Sequence, residues 1–208
     1  VLGFDNPDLP HYQKLVGPGG LDGVFVWSGD AKILLAVIKY IEDRLNVDND
    51  IAVADVRVLL LVEHNPSKYS TFLGAVYPAL MRQSQSLFNE GLNRLQKLMR
   101  MRTRPKILHA RDETQALALY RKYGGNLLAL ISEVGYHTPN GHDPRGGIRF
   151  AELLRRELGE LPILLLSSNY AVMEEARQAS AMFLHRRSPT LLHDLDVEIT
   201  KADLNIHV

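Results

Sequence analysis

Several side chains able to do chemistry stand directly after short apolar runs. Glu63 and His64 follow VRVLLLV, Glu133 follows LLALIS, Ser167 and Ser168 follow PILLL, and His185, Arg186 and Arg187 follow MFL. Two carboxylates, a hydroxyl and a guanidinium brought to one place can hold a cation or receive the oxygens of a phosphoryl group. Glu63, His64 and Glu133, with His137 or His142 from the next loop, are also acceptable ligand types for Zn²⁺ or Mn²⁺. No HExxH or similarly tight spacing accompanies them, so the residues argue against a dedicated metal centre. His109, His185 and His193 read as surface or capping residues. The chain has no cysteine, which excludes disulfides, thiol catalysis and cysteine zinc sites.

The elements that must position these residues alternate between strand and helix. Strands are expected at Val56–Val62, Pro105–His109, Leu127–Ser132, Pro162–Leu166 and Met182–Leu184. Their continuous apolar character suits burial on both faces of a parallel sheet. Amphipathic helices are expected at Asp112–Tyr123, Gly146–Leu158 and Tyr170–Ala181, with a last one opening at Pro189–Leu195. This alternation predicts an α/β fold, a doubly wound five-stranded parallel sheet. Ligands of such sheets collect at the carboxyl ends of the strands, where the residues named above fall. Asp143-Pro144 with Gly146-Gly147 reads as a loop closing onto a helix and not as a phosphate cradle, because the GxGxxG and Walker patterns are absent.

Two stretches do not fit the simple alternation. From Ser67 to about Met101 apolar residues recur without a strand signal, which predicts a long first helix kinked at Pro78, or two helices broken near Asn89–Gly91. Its apolar positions Leu87, Leu92, Leu95 and Met99 run beyond the core and form the expected partner surface, for a homodimer or for docking to adjacent domains. Residues 1–50 read as a separate strand-helix-strand-helix piece. Its strands are Val1–Phe4 and Val24–Trp27, and Ser28 or Asp30 caps a helix through Arg44. Asn46–Asp55 is expected to be a linker, dividing residues 1–50 from a domain at 51–208.

The chain of 208 residues carries 24 basic and 24 acidic side chains, a net charge of +0. That balance gives no global field for nucleic acid or an anionic membrane. The basic run Lys97, Arg100, Arg102, Arg104 and Lys106 lacks interleaved aromatics for base stacking and reads as a helix C-terminus. No run approaches the ~20 apolar residues of a membrane span. The chain starts at Val1 inside an apolar segment and reads as part of a longer protein.

The order VLLLVEHNP, LLALISEV, LPILLLSS, FLHRRSP resembles the receiver domain of response regulators over about residues 55–200. That resemblance implies a flavodoxin-like fold with an acidic pair after the first strand and a phosphorylated Asp after the third. A Thr or Ser after the fourth strand and a Lys after the fifth complete the family's pocket. By position, Glu63 and His64 stand at the acidic pair, Glu133 at the phosphoacceptor, Ser167 at the hydroxyl and Arg186 at the Lys. MRQSQSLFNEGLNRL and MRTRPKIL resemble a narrower group, receivers fused upstream of phosphoenolpyruvate synthase or pyruvate phosphate dikinase-like enzymes. In that group residues 1–50 would be the C-terminal half of a preceding receiver.

The departures from the family pattern carry the functional expectation. Glu133 is one methylene longer than Asp, His64 replaces an oxygen ligand that Mg²⁺ prefers, and Arg186 is a planar fork in place of an ammonium. These changes predict a pseudo-receiver that is not phosphorylated, with a Glu133–Arg186 ion pair across its pocket and no resident cofactor, Mg²⁺ being disfavoured. Such a chain is a cytoplasmic regulatory module that binds protein, without catalysis of its own and without nucleic-acid or membrane partners. The alternative is a working receiver with an atypical, phosphorylated or metal-regulated pocket.

Overall fold

The computed structural model describes residues 1–5, 7–17, 19–86, 104–138 and 141–188, with positions 190, 191, 193, 194 and 197 beyond them. The chain falls into two compact units that do not follow chain order. One comprises Val1–Asp50 with Asn65–Arg104, the other Ile51–His64 with Pro105–Val208.

The second unit contains the sheet. Strands β3 (Val58–Val62), β4 (Lys106–Ala110), β5 (Leu127–Glu133), β8 (Ile163–Ser167) and β9 (Met182–His185) pair in the order β4-β3-β5-β8-β9. Every pairing is parallel. By position among the five strands this is 2-1-3-4-5, the flavodoxin-like doubly wound order, which reverses direction between the first and third strands. All residues of β3 and β5 are buried, which is why they read as unbroken apolar runs. Helix α4 (Glu113–Tyr123) packs on β3 and β4, α5 (Gly146–Leu158) on β5 and β8, and α6 (Met173–Gln178) on β9. Asp112 caps α4 by accepting from the Gln115 N–H at 2.9 Å.

The first unit holds a parallel pair, β1 (Leu2–Gly3) and β2 (Phe25–Val26), with α1 (Leu9–Lys14) between them. Helix α3 (Pro66–Ser86) belongs to this unit although it follows β3 in the chain. Its start is set by Asn65, whose side chain accepts from the Lys68 N–H at 3.1 Å, with Pro66 at the first helical position. The Tyr69 hydroxyl donates to the Val24 carbonyl, and the Val26 N–H donates to Ser70 Oγ at 2.9 Å. The helix runs through Pro78 without a break.

Three expectations change. The stretch expected to be a linker is helical: α2 runs from Lys32 to Ala54 and not only to Arg44. Val47 and Asp50 are buried like Ile33, Ala36 and Asp43, so the helical period continues under a polar composition. Asp55 then ends the helix in the left-handed conformation (φ 47), its N–H donating to the Ile51 carbonyl at 2.9 Å. After β5 the loop contains an antiparallel ribbon, β6 (Tyr136–Thr138) and β7 (Gly141–Asp143). The helix expected at Tyr170–Ala181 is a 3₁₀ turn, Tyr170–Val172, followed by α6, with Ser180 in the left-handed region at φ 52. Leu87, Leu92, Leu95, Met99, Lys97, Arg100 and Arg102 lie outside the described residues, as does most of the helix expected from Pro189. No described helix is long and apolar enough to cross a membrane.

Candidate functional site

The ends of β3 and β5 lie side by side at the point where the strand order reverses. The ladder continues past the strands: the Glu63 N–H donates to the Ala110 carbonyl at 3.0 Å, and the Val134 N–H to the Leu166 carbonyl at 3.2 Å. The Arg186 N–H donates to the Ser167 carbonyl at 3.0 Å. These backbone bonds tie the end of β3 to that of β4, and the end of β5 through β8 to that of β9, before any side chain is considered.

Glu63 (2% exposed) and Glu133 (6%) are both buried here. Two such carboxylates repel one another, and each loses hydration, so they need partners. Two side chains supply them. The His64 ring places Nδ1 2.6 Å from Glu133 Oε1 and 3.6 Å from Glu63 Oε1. The His64 backbone N–H donates to the same Glu133 oxygen at 3.2 Å. Arg186 forms a close ion pair through Nη2 with Glu63 Oε2, and the same nitrogen lies 3.7 Å from Glu133 Oε2.

The expected Glu133–Arg186 ion pair is present at 3.7 Å, but it is the longer of the two that Arg186 makes among the described residues. The guanidinium is bound first to Glu63, and Glu133 is taken by His64. The reason is reach: the His64 ring and N–H both converge on one Glu133 oxygen, leaving the other at longer range from Arg186. Burial raises the Glu133 pKa, but the hydrogen bond from His64 outweighs it, together with the charges of His64 and Arg186 and the His64 N–H. The net effect holds Glu133 below its ordinary value, as a carboxylate.

Ser167 ends β8 at the rim, where its Oγ accepts from the Asn169 N–H at 3.1 Å. The structure brings Glu63, His64, Glu133 and Arg186 into one cluster and engages the Ser167 hydroxyl in a local turn. His142 sits on β7, exposed, and is not part of the cluster; the His137 side chain lies outside the described residues. His185 stacks on Tyr170 with ring centroids 4.2 Å apart, and Nε2 lies 3.1 Å from the Ser168 carbonyl. His193 is exposed.

Two supports were not legible in the sequence. His109 on β4 sets Nε2 2.7 Å from the Glu63 carbonyl, so it braces the strand end that carries the acid. Burial pulls its pKa down to about 4, against the opposing hydrogen bond, so above that pH the neutral ring donates from Nε2. An amphipathic β-edge position gives no hint of such a bond. Gly147 is the second: a Cβ there would lie 2.1 Å from the Glu133 carbonyl oxygen, while its N–H donates to the Val134 carbonyl at 2.9 Å. Only glycine lets α5 start so close beneath Glu133.

Glu63, His64 and Glu133 each offer one ligand atom, all within 4.8 Å of one another. Mg²⁺ favours an octahedral shell of oxygens and several waters. Here one of the three donors is an imidazole, and Arg186 already neutralises Glu63, so the residues do not fit that ion. Arg104 and Lys106, from the basic run, are buried and form no surface patch.

No family model matches the chain, and no curated protein matches it. Among solved structures it is similar to a response regulator receiver domain protein from Clostridium thermocellum. The identity is 15% and the TM-score 0.47, over 73% of this chain and 98% of the other. A response regulator receiver protein from Pseudoalteromonas atlantica shows 18% identity and a TM-score of 0.43, over 72% and 98%. The receiver domain of a histidine kinase from Arabidopsis thaliana, complexed with Mg²⁺ and BeF₃⁻, shows 16% and 0.36, over 74% and 95%. These distant likenesses say nothing of function, which rests on the pocket itself.

Proposed function

We propose that the sheet-bearing part of the chain is a receiver-like regulatory module that is not phosphorylated, because its own Arg186 and His64 occupy the place of cation and phosphoryl group. The observation that carries this reading is the pairing within the cluster: Arg186 on Glu63, and His64 on Glu133. A phosphoacceptor carboxylate must be free to attack and must share a metal with its neighbours. Glu133 is held by two donors from His64 and is one methylene longer than Asp, a displacement of roughly 1.5 Å. Misplacement on that scale costs about 10²-fold in rate. The module then works by binding protein, intramolecularly or in a second chain, and carries out no reaction itself. The resemblance of MRQSQSLFNEGLNRL and MRTRPKIL supports a cytoplasmic setting beside a phosphoenolpyruvate- or pyruvate-utilising enzyme, with residues 1–50 as the end of a preceding receiver.

The test is incubation with acetyl phosphate and Mg²⁺ followed by intact-mass measurement. No phosphoryl adduct is expected on the wild type. An adduct that disappears in Glu133→Gln would overturn the reading and favour the second one, an atypical working pocket. That second reading has its own support in the three clustered ligand atoms. Saturable Mn²⁺ or Zn²⁺ binding lost in His64→Ala would favour it as well.

A further inference from the structure

The two buried acids at the strand ends divide their oxygens between two partners. Glu63 Oε1 and Glu133 Oε1 face the His64 ring, at 3.6 and 2.6 Å from Nδ1. Glu63 Oε2 and Glu133 Oε2 face Arg186 Nη2, the first in a close ion pair and the second at 3.7 Å. Arg186 follows β9, and its side chain is 15% exposed, so it enters from the rim. Its pairing differs in kind from that of Arg149, which donates to both oxygens of Asp143. Arg186 Nη2 is buried within reach of two carboxylates and makes no hydrogen bond among the described residues. It is held by charge and not by directed donors, as a monatomic cation between two acids would be.

We infer that Arg186 is a tethered cation that keeps a divalent metal ion out of this cluster, and that the cluster without it takes a transition metal of the Zn²⁺ or Mn²⁺ type. The inference rests on the reading above, in which Arg186 stands in the place of a bound cation. The donors are in place: Glu63, His64 and Glu133 each offer one ligand atom, all within 4.8 Å of one another. Ligand atoms on one ion at ~2.1 Å lie about 3–4 Å apart, so closing round a metal needs only small side-chain movements. Two carboxylates and an imidazole select the class of ion, since Zn²⁺ and Mn²⁺ accept a nitrogen where Mg²⁺ keeps to oxygen. The guanidinium is not deprotonated in proteins, so the exclusion does not lapse with pH. A doubly charged ion about 4 Å from it loses on the order of 10²-fold in affinity by repulsion. Taking the guanidinium away leaves two buried acids without it, and a metal ion then gains what Arg186 supplied.

Calorimetric titration of the full chain with zinc, manganese and magnesium chlorides tests this, with thermal unfolding as a second readout. Arg186→Met is expected to bind one Zn²⁺ or Mn²⁺ about 10²-fold more tightly than the wild type, and to melt at a higher temperature with the ion than without it. Arg186→Gln, which keeps a polar side chain, should do the same. Mg²⁺ should shift neither variant. Adding His64→Ala or Glu133→Gln to Arg186→Met should remove the gain, which separates this cluster from stray binding at other histidines. The inference is overturned if both Arg186 variants bind no more tightly than the wild type, if the gain survives His64→Ala, or if Mg²⁺ binds as well as Zn²⁺. Variants that no longer melt cooperatively, with metal or without, would make Arg186 a structural ion pair and refute it equally. A phosphoryl adduct on the wild type from acetyl phosphate removes the reading of the pocket on which this rests. No adduct on the wild type and no metal gain in Arg186→Met removes the inference alone.

Discussion

Asp43 with Arg104 and Glu133 with Arg186 both set a buried carboxylate near an arginine, one cluster in each compact unit, but their charges balance differently. Arg104 donates to both Asp43 oxygens, through Nη1 at 3.1 Å and Nη2 at 2.5 Å, and the Tyr77 hydroxyl donates to Asp43 Oδ2 at 3.0 Å. The guanidinium also lies over the Tyr77 ring, 5.6 Å from its centroid. Burial works against the charge on Arg104, yet the hydrogen bond and charge of Asp43 outweigh it and raise its pKa. One acid, one base and a neutral phenol meet with bidentate geometry, and Glu42 lies 3.9 Å from Arg104 Nη2. The strand-end cluster has two acids, one arginine and a half-exposed histidine, and Arg186 is shared unequally between the acids. The first arrangement is a core clamp. The second sets two acids against one arginine and one imidazole at the edge of solvent.

The comparison is most easily broken at Arg104. Arg104→Met leaves Asp43 buried without its cation and is expected to cost about 3–5 kcal/mol in urea unfolding. Adding Asp43→Leu should recover most of that loss; a double variant no more stable than Arg104→Met would show that the pair is not the clamp. The next effect is on pH dependence. His109 has its pKa lowered from 6.5 to about 4 in the folded chain. Between those values the unfolded chain holds more protons, so stability falls as pH is lowered through this window, by about 3 kcal/mol at most. Wild type should show that slope and His109→Gln should lose it; equal slopes would remove His109 from the account. Glu133 has the ordinary acid sign: its depressed pKa contributes stability that is fully present above about 4.5 and lost at lower pH, so its window begins near the lower end of that of His109. The smallest effect is expected for Arg186→Met, about 1–2 kcal/mol near neutral pH, because His64 and solvent still reach the acids. That loss should shrink as one carboxylate takes up a proton in acid. A loss as large as that of Arg104→Met would show the two clusters to be equivalent.

Much of the sheet was legible because its strands are apolar runs bounded by polar residues. β5 is expected at Leu127–Ser132 and found at Leu127–Glu133, one residue longer, and β3 is two residues shorter at its start. The extension of α2 through Asn46–Asp55 was hidden, since Asp43 and Asp50 occupy buried positions that a polarity pattern assigns to solvent. The ribbon after β5 was hidden as well, because three-residue strands carry too little period to register.

The sequence by itself determined which residue types stand at each strand end, and hence that two acids, an imidazole and a guanidinium meet where the strand order reverses. Parallel pairing and the length of each run dictate that convergence through backbone hydrogen bonds alone. Only the tertiary structure decided the pairing within the cluster: Arg186 on Glu63 and His64 on Glu133. Partner choice among charged side chains depends on differences of an ångström or two in reach, and on which face each backbone N–H presents. The same holds for Gly147 and His109, whose roles are contacts across the fold that no local pattern encodes.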